Sequence, residues 1–320
     1  MPTPFEPIVR FIREIYPNRE LIPLHEPVFG HEEEEALLAC LRSTHVASTG
    51  LEVAAFEETV CRYTGSPYAV ATVNGTAALH LALHALGIGP GDLVLTQALT
   101  FAATVNAIRY TGAIPRYLDI EAGTWAFSPA HLDEWLRHRS FRDTEGTLRE
   151  KSSGLRVAAC LPVHTFGLPA QTGQILDCCN AFGIPLVEDA AEALGTFREG
   201  KHAGTLGVAG VLSFNGNKII TTGGGGMVLT HDEALALRLR HLSTQSKQPH
   251  RWEYIHDGTG FNYRMPNINA ALGLAQMAGM QARLDSKRAV GARYRTFFRE
   301  LGAQALEEPE GCQWNHWLNG

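Results

Sequence analysis

From about residue 68 the chain repeats one pattern, in which a short apolar run of strand type passes through a turn into apolar residues at helical spacing. YAVATV (68–73) precedes a helix predicted from Thr76 to about Leu86, and DLVLT (92–96) precedes another starting near Thr100. The runs AIPRYLDI (113–120), RVAACLP (156–162), IPLVEDA (184–190), GVLSF (210–214) and GMVLT (226–230) continue the series. Parallel strands need long crossovers, which are usually helices, so the alternation predicts an α/β fold with a mostly parallel sheet flanked by helices. Ligands of such sheets gather beyond the carboxyl ends of the strands. Residues just after strands are therefore the first candidates for chemistry.

The flanking segments read differently. Phe5, Ile8, Ile12 and Ile15 recur at helical spacing up to Pro17, and this helix either packs on its own domain or docks on a second subunit. Acidic Glu32 to Glu35 suit a helix N-terminus, where carboxylates meet the positive end of the dipole. Residues 135–155 form the most polar interval and are read as a surface helix and loop. No repeat or low-complexity linker appears, which places a domain boundary near 264–273. The predicted organisation is an N-terminal helical arm (1–25), a large domain (26–263) and the start of a small C-terminal domain (264–320).

Composition excludes some partners. Against 33 Asp and Glu there are 27 Lys and Arg, a formal charge of −6, and no basic stretch is interleaved with aromatics, so nucleic acid and anionic membranes are not expected. The 6 cysteines contain no CxxC pair, as in a reduced protein. The first 20 residues lack the basic-then-apolar order of a signal peptide, and no apolar run reaches membrane-spanning length. The expected location is the cytoplasm.

Three positions stand out after strands. Asn74-Gly75-Thr76 lies at a strand-to-helix turn, where backbone N–H groups favour a phosphate, although such turns are also common structural punctuation. Asp189 ends a strand; it reads either as a helix cap or as a carboxylate that pairs with a protonated ring nitrogen. Lys218 sits between a strand and the run Gly223 to Gly226. A free lysine has a pKa near ~10.4 and is a poor nucleophile at neutral pH, a limit that a stored Schiff base circumvents. The glycine run lacks the pattern of a nucleotide loop and reads as a flexible connector or as a place of close backbone approach.

In chain order, NGTAAL (74–79), TFAATVNA (100–107), EDAAEALG (188–195), SFNGNK (213–218) and GFNYRM (260–265) together resemble the DegT/StrS-type sugar-nucleotide aminotransferases, from about residue 20 onward. The resemblance implies pyridoxal-phosphate fold type I, with pyridoxal 5'-phosphate as cofactor and its pyridoxamine form as intermediate. Lys218 then forms the Schiff base, Asp189 pairs with the pyridine nitrogen and Phe101 stacks on the ring. Gly75, Thr76 and Ser213 match the phosphate cradle, and Asn262 matches a residue that serves the neighbouring subunit, which implies a homodimer with shared active sites.

Glu192 stands near the ring hydroxyl where many relatives have Gln or His, and Gly224 replaces a frequent Glu. Both departures look like those of enzymes that use glutamate to aminate carbon 4 of a nucleotide-linked 4-keto-6-deoxy sugar. The segment IPLHEPVFG (22–30) resembles the subgroup acting on UDP-4-keto-6-deoxy-N-acetylglucosamine in nonulosonic (legionaminic) acid pathways. The alternatives are a GDP-perosamine-type or other 4-keto-sugar aminotransferase, and a non-catalytic regulatory relative. Lys218 itself argues against the dehydratases of the family, which carry His there. Relatives usually continue beyond a WLN sequence like that at 317–319, so the C-terminal domain is expected to be truncated. His80 and His84 are read as helix packing rather than zinc ligands, and His164 either touches the ligand or is a hydrogen-bonded structural histidine.

Overall fold

Residues 5–320 are described in a computed structural model. In chain order, α1 (Glu6–Ile15), α2 (His31–Ser43) and α3 (Leu51–Thr64) precede β1 (Tyr68–Thr72), α4 (Gly75–Ala85), β2 (Asp92–Gln97), α5 (Ala102–Tyr110) and β3 (Ile114–Leu118). Next come α6 (Pro129–Arg139), β4 (Ser140–Arg142), β5 (Leu148–Glu150), β6 (Arg156–Leu161), α7 (Thr172–Phe182) and β7 (Val187–Asp189). The short strands β8 (Phe197–Arg198) and β9 (Lys201–His202) lead to β10 (Ala209–Ser213), β11 (Gly226–Thr230) and α8 (Glu233–Ser243). The chain then runs through α9 (Asn267–Ala278), α10 (Met280–Glu300) and β12 (Cys312–Gln313).

β3, β2 and β6 pair in parallel, and parallel bridges Cys160↔Leu186 and Val163↔Asp189 join β6 to β7. β7 pairs in parallel with β10, and β11 runs antiparallel to both β10 and β1. The strand order β3-β2-β6-β7-β10-β11-β1 is thus mixed: among these strands only β11 opposes the rest, while β5 pairs antiparallel with the start of β6. It brings the carboxyl ends of β1, β2, β7 and β10 to one edge.

The period of two along these strands feeds two cores. Val70, Val211 and Val228 face α4, whose Leu79, Leu81 and Leu83 are fully buried. Ala69, Ala71, Leu212, Met227 and Leu229 face the other way, toward Phe56 of α3 and Ala270 and Met277 of α9. A third core joins β2 and β6 to α6 and α7 through Leu93, Leu95, Leu132 and Ile175. Glu33 begins α2 as expected, its carboxylate accepting from Gly30 N at 2.7 Å, and it also pairs with Arg283 of α10.

Several expectations change. Residues 135–155 are not only helix and loop: β4 and β5 form a hairpin at the sheet margin, with Ser140, Leu148 and Glu150 buried. In this chain α1 lies against α10, the Phe11 ring stacking on Phe297 with centroids 4.0 Å apart. The glycine run is not a flexible connector, since Gly225 and Gly226 are buried and Gly226 opens β11. A Cβ on Gly226 would lie 2.5 Å from the carbonyl carbon of Asn74 and 2.7 Å from Gly75 N. The N-terminus of α4 therefore rests directly on β11. No helix among the described residues is long and apolar enough to cross a membrane.

This contact yields a paired test by urea unfolding. Gly226→Ala is expected to cost about 1–3 kcal/mol, because the obstacle is backbone that cannot swing aside. Gly224→Ala, whose added carbon would meet Val73 O at 3.7 Å, is expected to leave the midpoint unchanged.

Candidate active site

The sheet edge collects most of the residues singled out from sequence. Asn74 ends the turn after β1, and its side chain accepts from Ala77 N at 2.7 Å as the cap of α4. The first-turn N–H groups of Gly75 and Thr76 point out of the helix, since no preceding turn exists to accept them. Ser213, the last residue of β10, closes on this turn: a Cβ on Gly75 would sit 3.0 Å from Ser213 Cβ and 3.2 Å from its hydroxyl. Glycine is needed for that approach. The result is a hydroxyl beside the positive end of a helix, a site suited to an anion.

Asp189 ends β7 and is buried, 4% exposed. Its carboxylate accepts from Thr104 Oγ1 at 2.7 Å and from Ala191 N at 3.2 Å. Burial pushes its pKa up; the Thr104 and Ala191 hydrogen bonds and the Lys218 charge oppose that rise. Lys218 lies in the turn after β10, its Nζ 3.5 Å from Glu192 Oε1, with the two side chains 13% and 14% exposed. Burial pushes the amine's pKa down, opposed by the charges of Glu192 and Asp189. Burial also pushes the Glu192 carboxyl up, opposed by Lys218 and by the Phe166 N–H, which donates to Glu192 Oε2 at 2.8 Å. Two carboxyl groups and one amine thus lie close together, each largely buried. The set suits a ligand that brings a positive charge and an electrophilic carbon.

Glu188, one residue before Asp189, points to the opposite side of the strand. Its carboxylate accepts from the N–H groups of Gly204, Leu206 and Gly207 at 3.0, 2.8 and 2.8 Å. His164 Nε2 lies 3.1 Å from Glu188 Oε2, while its Nδ1 accepts from Ala170 N at 3.1 Å. These partners assign the proton to Nε2 and give His164 a structural position, in favour of one of its two readings. His80 likewise packs inside, with Nδ1 3.2 Å from Tyr263 Oη.

Phe101 occupies the N-cap position of α5 with 75% of its surface exposed. Asn262 is exposed and makes no hydrogen bond to the other site residues among those described. The structure adds groups that the sequence reading did not single out. Thr104 is the partner of Asp189; Trp317 places its ring face 3.9 Å from Lys218 Nζ; and His25 lies beside Lys218, its pKa lowered to about 4 by burial and by the charges of Lys287 and Lys218. Thr100, two residues before α5, meets the Thr104 hydroxyl at 2.6 Å.

Residues 27–318 match the DegT/DnrJ/EryC1/StrS aminotransferase family. EpsN of Bacillus subtilis (strain 168), which carries the name of a pyridoxal phosphate-dependent aminotransferase, is 38% identical over 298 residues, spanning 93% of this chain and 74% of EpsN. GDP-perosamine synthase of Escherichia coli O157:H7 is 37% identical over 297 residues, spanning 93% of this chain and 76% of its own. The crystal structure of a DegT DnrJ EryC1 StrS aminotransferase from Brucella abortus superposes with a TM-score of 0.81 at 28% identity, covering 89% of this chain and 73% of that one. With this sheet order and these motifs, the chain belongs to the DegT/DnrJ/EryC1/StrS aminotransferase family and is a pyridoxal-phosphate-dependent transaminase of fold type I.

Proposed function

We propose that this enzyme transfers an amino group from glutamate to carbon 4 of a nucleotide-linked 4-keto-6-deoxy sugar, using Lys218 and Asp189 as its catalytic pair. The observation that carries the proposal is the buried amine of Lys218 held 3.5 Å from Glu192 in the recess that also contains Asp189, at the edge where the free N–H groups of α4 emerge.

The residues fit pyridoxal phosphate. A Cβ at Gly75 would fill the space beside Ser213, so the turn leaves room for phosphate oxygens, with Thr76 and Ser213 offering hydroxyls and α4 its N-terminus. The buried Asp189 carboxylate is suited to keep a ring nitrogen protonated, and the exposed Phe101 ring offers a flat face to stack on. Glu192 would stand by the ring hydroxyl. When bound, the cofactor supplies the aldehyde that receives an amino group and a cationic ring that takes up negative charge from the adjacent carbon. Lys218 would hold its aldehyde form between turnovers and would be free while the cofactor carries the amino group. Once free, Lys218 Nζ would take the proton from the cofactor's aminomethyl carbon and pass it to carbon 4 of the sugar. Asn262, exposed on this chain, would serve the phosphate of the neighbouring subunit, which would make a homodimer the working unit.

For the sugar, UDP-4-keto-6-deoxy-N-acetylglucosamine is our first reading. It rests on segment 22–30, whose His25 lies against the Lys218 turn and so lines the place where a sugar would meet the amine. A GDP-linked 4-keto sugar is the second, favoured by the relative named GDP-perosamine synthase.

Lys218→Ala is expected to abolish formation of the amino sugar, and borohydride reduction of the wild type should leave the cofactor on the peptide containing Lys218. Substantial residual transamination would remove the lysine from its role. Asp189→Asn, which keeps shape and discards charge, should lower kcat about 10²-fold with the fold intact by circular dichroism. Incubation with UDP- and GDP-linked 4-keto sugars plus glutamate, read by mass spectrometry, should give the amino sugar from the UDP N-acetyl substrate; product from GDP sugars alone would select the second reading.

A further inference from the structure

After α10 the chain returns against the Lys218 turn and the Glu192 loop as residues 313–318. Trp317 lays its ring face 3.9 Å from Lys218 Nζ, and its Nε1 donates to the carbonyl of Asn217 at 2.6 Å. Asn315 reaches the other wall, its Nδ2 donating to the carbonyls of Glu192 and Leu194 at 2.8 and 2.9 Å. Asn315 Oδ1 accepts from Trp317 N at 3.0 Å, so the two contacts form one unit. Trp314 Nε1 donates to Phe166 O at 3.1 Å, and Phe166 N in turn donates to the Glu192 carboxylate. All three side chains are buried, at 1% for Trp314, 0% for Asn315 and 6% for Trp317. Helix α10 holds the segment from behind: Arg288 Nε donates to Trp314 O at 3.2 Å and Lys287 Nζ to Trp317 O at 3.3 Å.

The sheet edge alone does not fix the amine. The turn bearing Lys218 and the loop bearing Glu192 come from different strands, and the segment 313–318 is hydrogen-bonded to both. An ammonium group over an aromatic face is stabilised by the ring quadrupole, the more so when water is excluded. We infer that residues 313–318 form a positioning clasp of the active site, in which Asn315 fixes the backbone at Glu192 while Trp317 fixes the Lys218 turn and steadies the free amine against its face. Trp317 and Asn315 are thus positioning residues. The inference rests on Lys218 being the cofactor lysine, as proposed above.

The test reads the amine directly, without turnover. Full-length protein freed of cofactor is treated with trinitrobenzenesulfonate across a range of pH, and modification of the Lys218 peptide is followed by mass spectrometry. The ring face favours the charged amine, so its removal must lower the pH at which the reactive free base appears. Trp317→Leu is expected to move the labelling midpoint down by about half a pH unit or more. Trp317→Phe, which keeps an aromatic face but loses the Nε1 hydrogen bond, should stay near the wild-type midpoint. A side chain that merely fills space would not separate the two variants in this way. Trp317→Met, which refills more of the volume, carries the same test if the Leu variant does not fold. Identical midpoints in wild type and the face-deleted variant overturn the clasp. Borohydride trapping in the same proteins keeps the two ideas apart: cofactor on another peptide refutes the lysine assignment, whereas cofactor on Lys218 with unchanged midpoints refutes only the clasp.

Discussion

The recess is organised by charges that burial opposes. Asp189 and Lys218 are each pushed toward neutrality by loss of water, and each is drawn back by the other and by neighbours from distant parts of the chain. A buried ion without partners costs several kcal/mol, so such a pair persists only where geometry supplies compensating contacts. Thr104 supplies one from α5, Ala191 N another from the turn after β7, and Glu192 a third. Satisfying them ties together β7, the turn after β10 and the start of α5. The parallel order β6-β7-β10 sets these elements side by side with their carboxyl ends level.

A second constraint is steric. The turn proposed to hold phosphate is built mainly from backbone, and backbone can approach backbone only where side chains are missing. Gly226 admits the first turn of α4 onto β11, and Gly75 admits Ser213. Both glycines act by what they leave out, and neither requires a positive φ. The four-glycine run therefore divides by position: Gly226 is fixed by contact with α4 and Gly225 by Thr222, whereas Gly224 faces open space short of Val73.

Much of this was legible in the sequence, for physical reasons that differ from element to element. Strands such as 92–96 are apolar on both faces because helices cover both, and such runs stand out against helical periodicity. The hairpin of β4 and β5 escaped because its strands are three residues long and polar, too short for a period of two to register. Glu188 and Asp189 posed a subtler problem. Alternation says that they point to opposite sides, but only the fold shows that the loop at Gly204 to Gly207 receives Glu188, which leaves Asp189 to the recess. Trp317 could not be placed at all, since its contact with the Lys218 turn joins segments about a hundred residues apart. Tertiary closure of that kind leaves no local signature.

Helix α10 connects these observations. Phe297 receives α1 through Phe11, Arg283 receives α2 through Glu33, and Lys287 touches two segments at once. Its Nζ lies 2.9 Å from His25 Nδ1 and donates to the carbonyl of Trp317. With a pKa near 4, His25 is neutral at physiological pH, so its Nδ1 is free to accept from the ammonium rather than repel it. The segment proposed to read the sugar and the segment proposed to steady the amine therefore share one anchor. A change in residues 22–30 that shifts His25 would therefore reach the Lys218 turn by two contacts, directly and through Lys287 and Trp317.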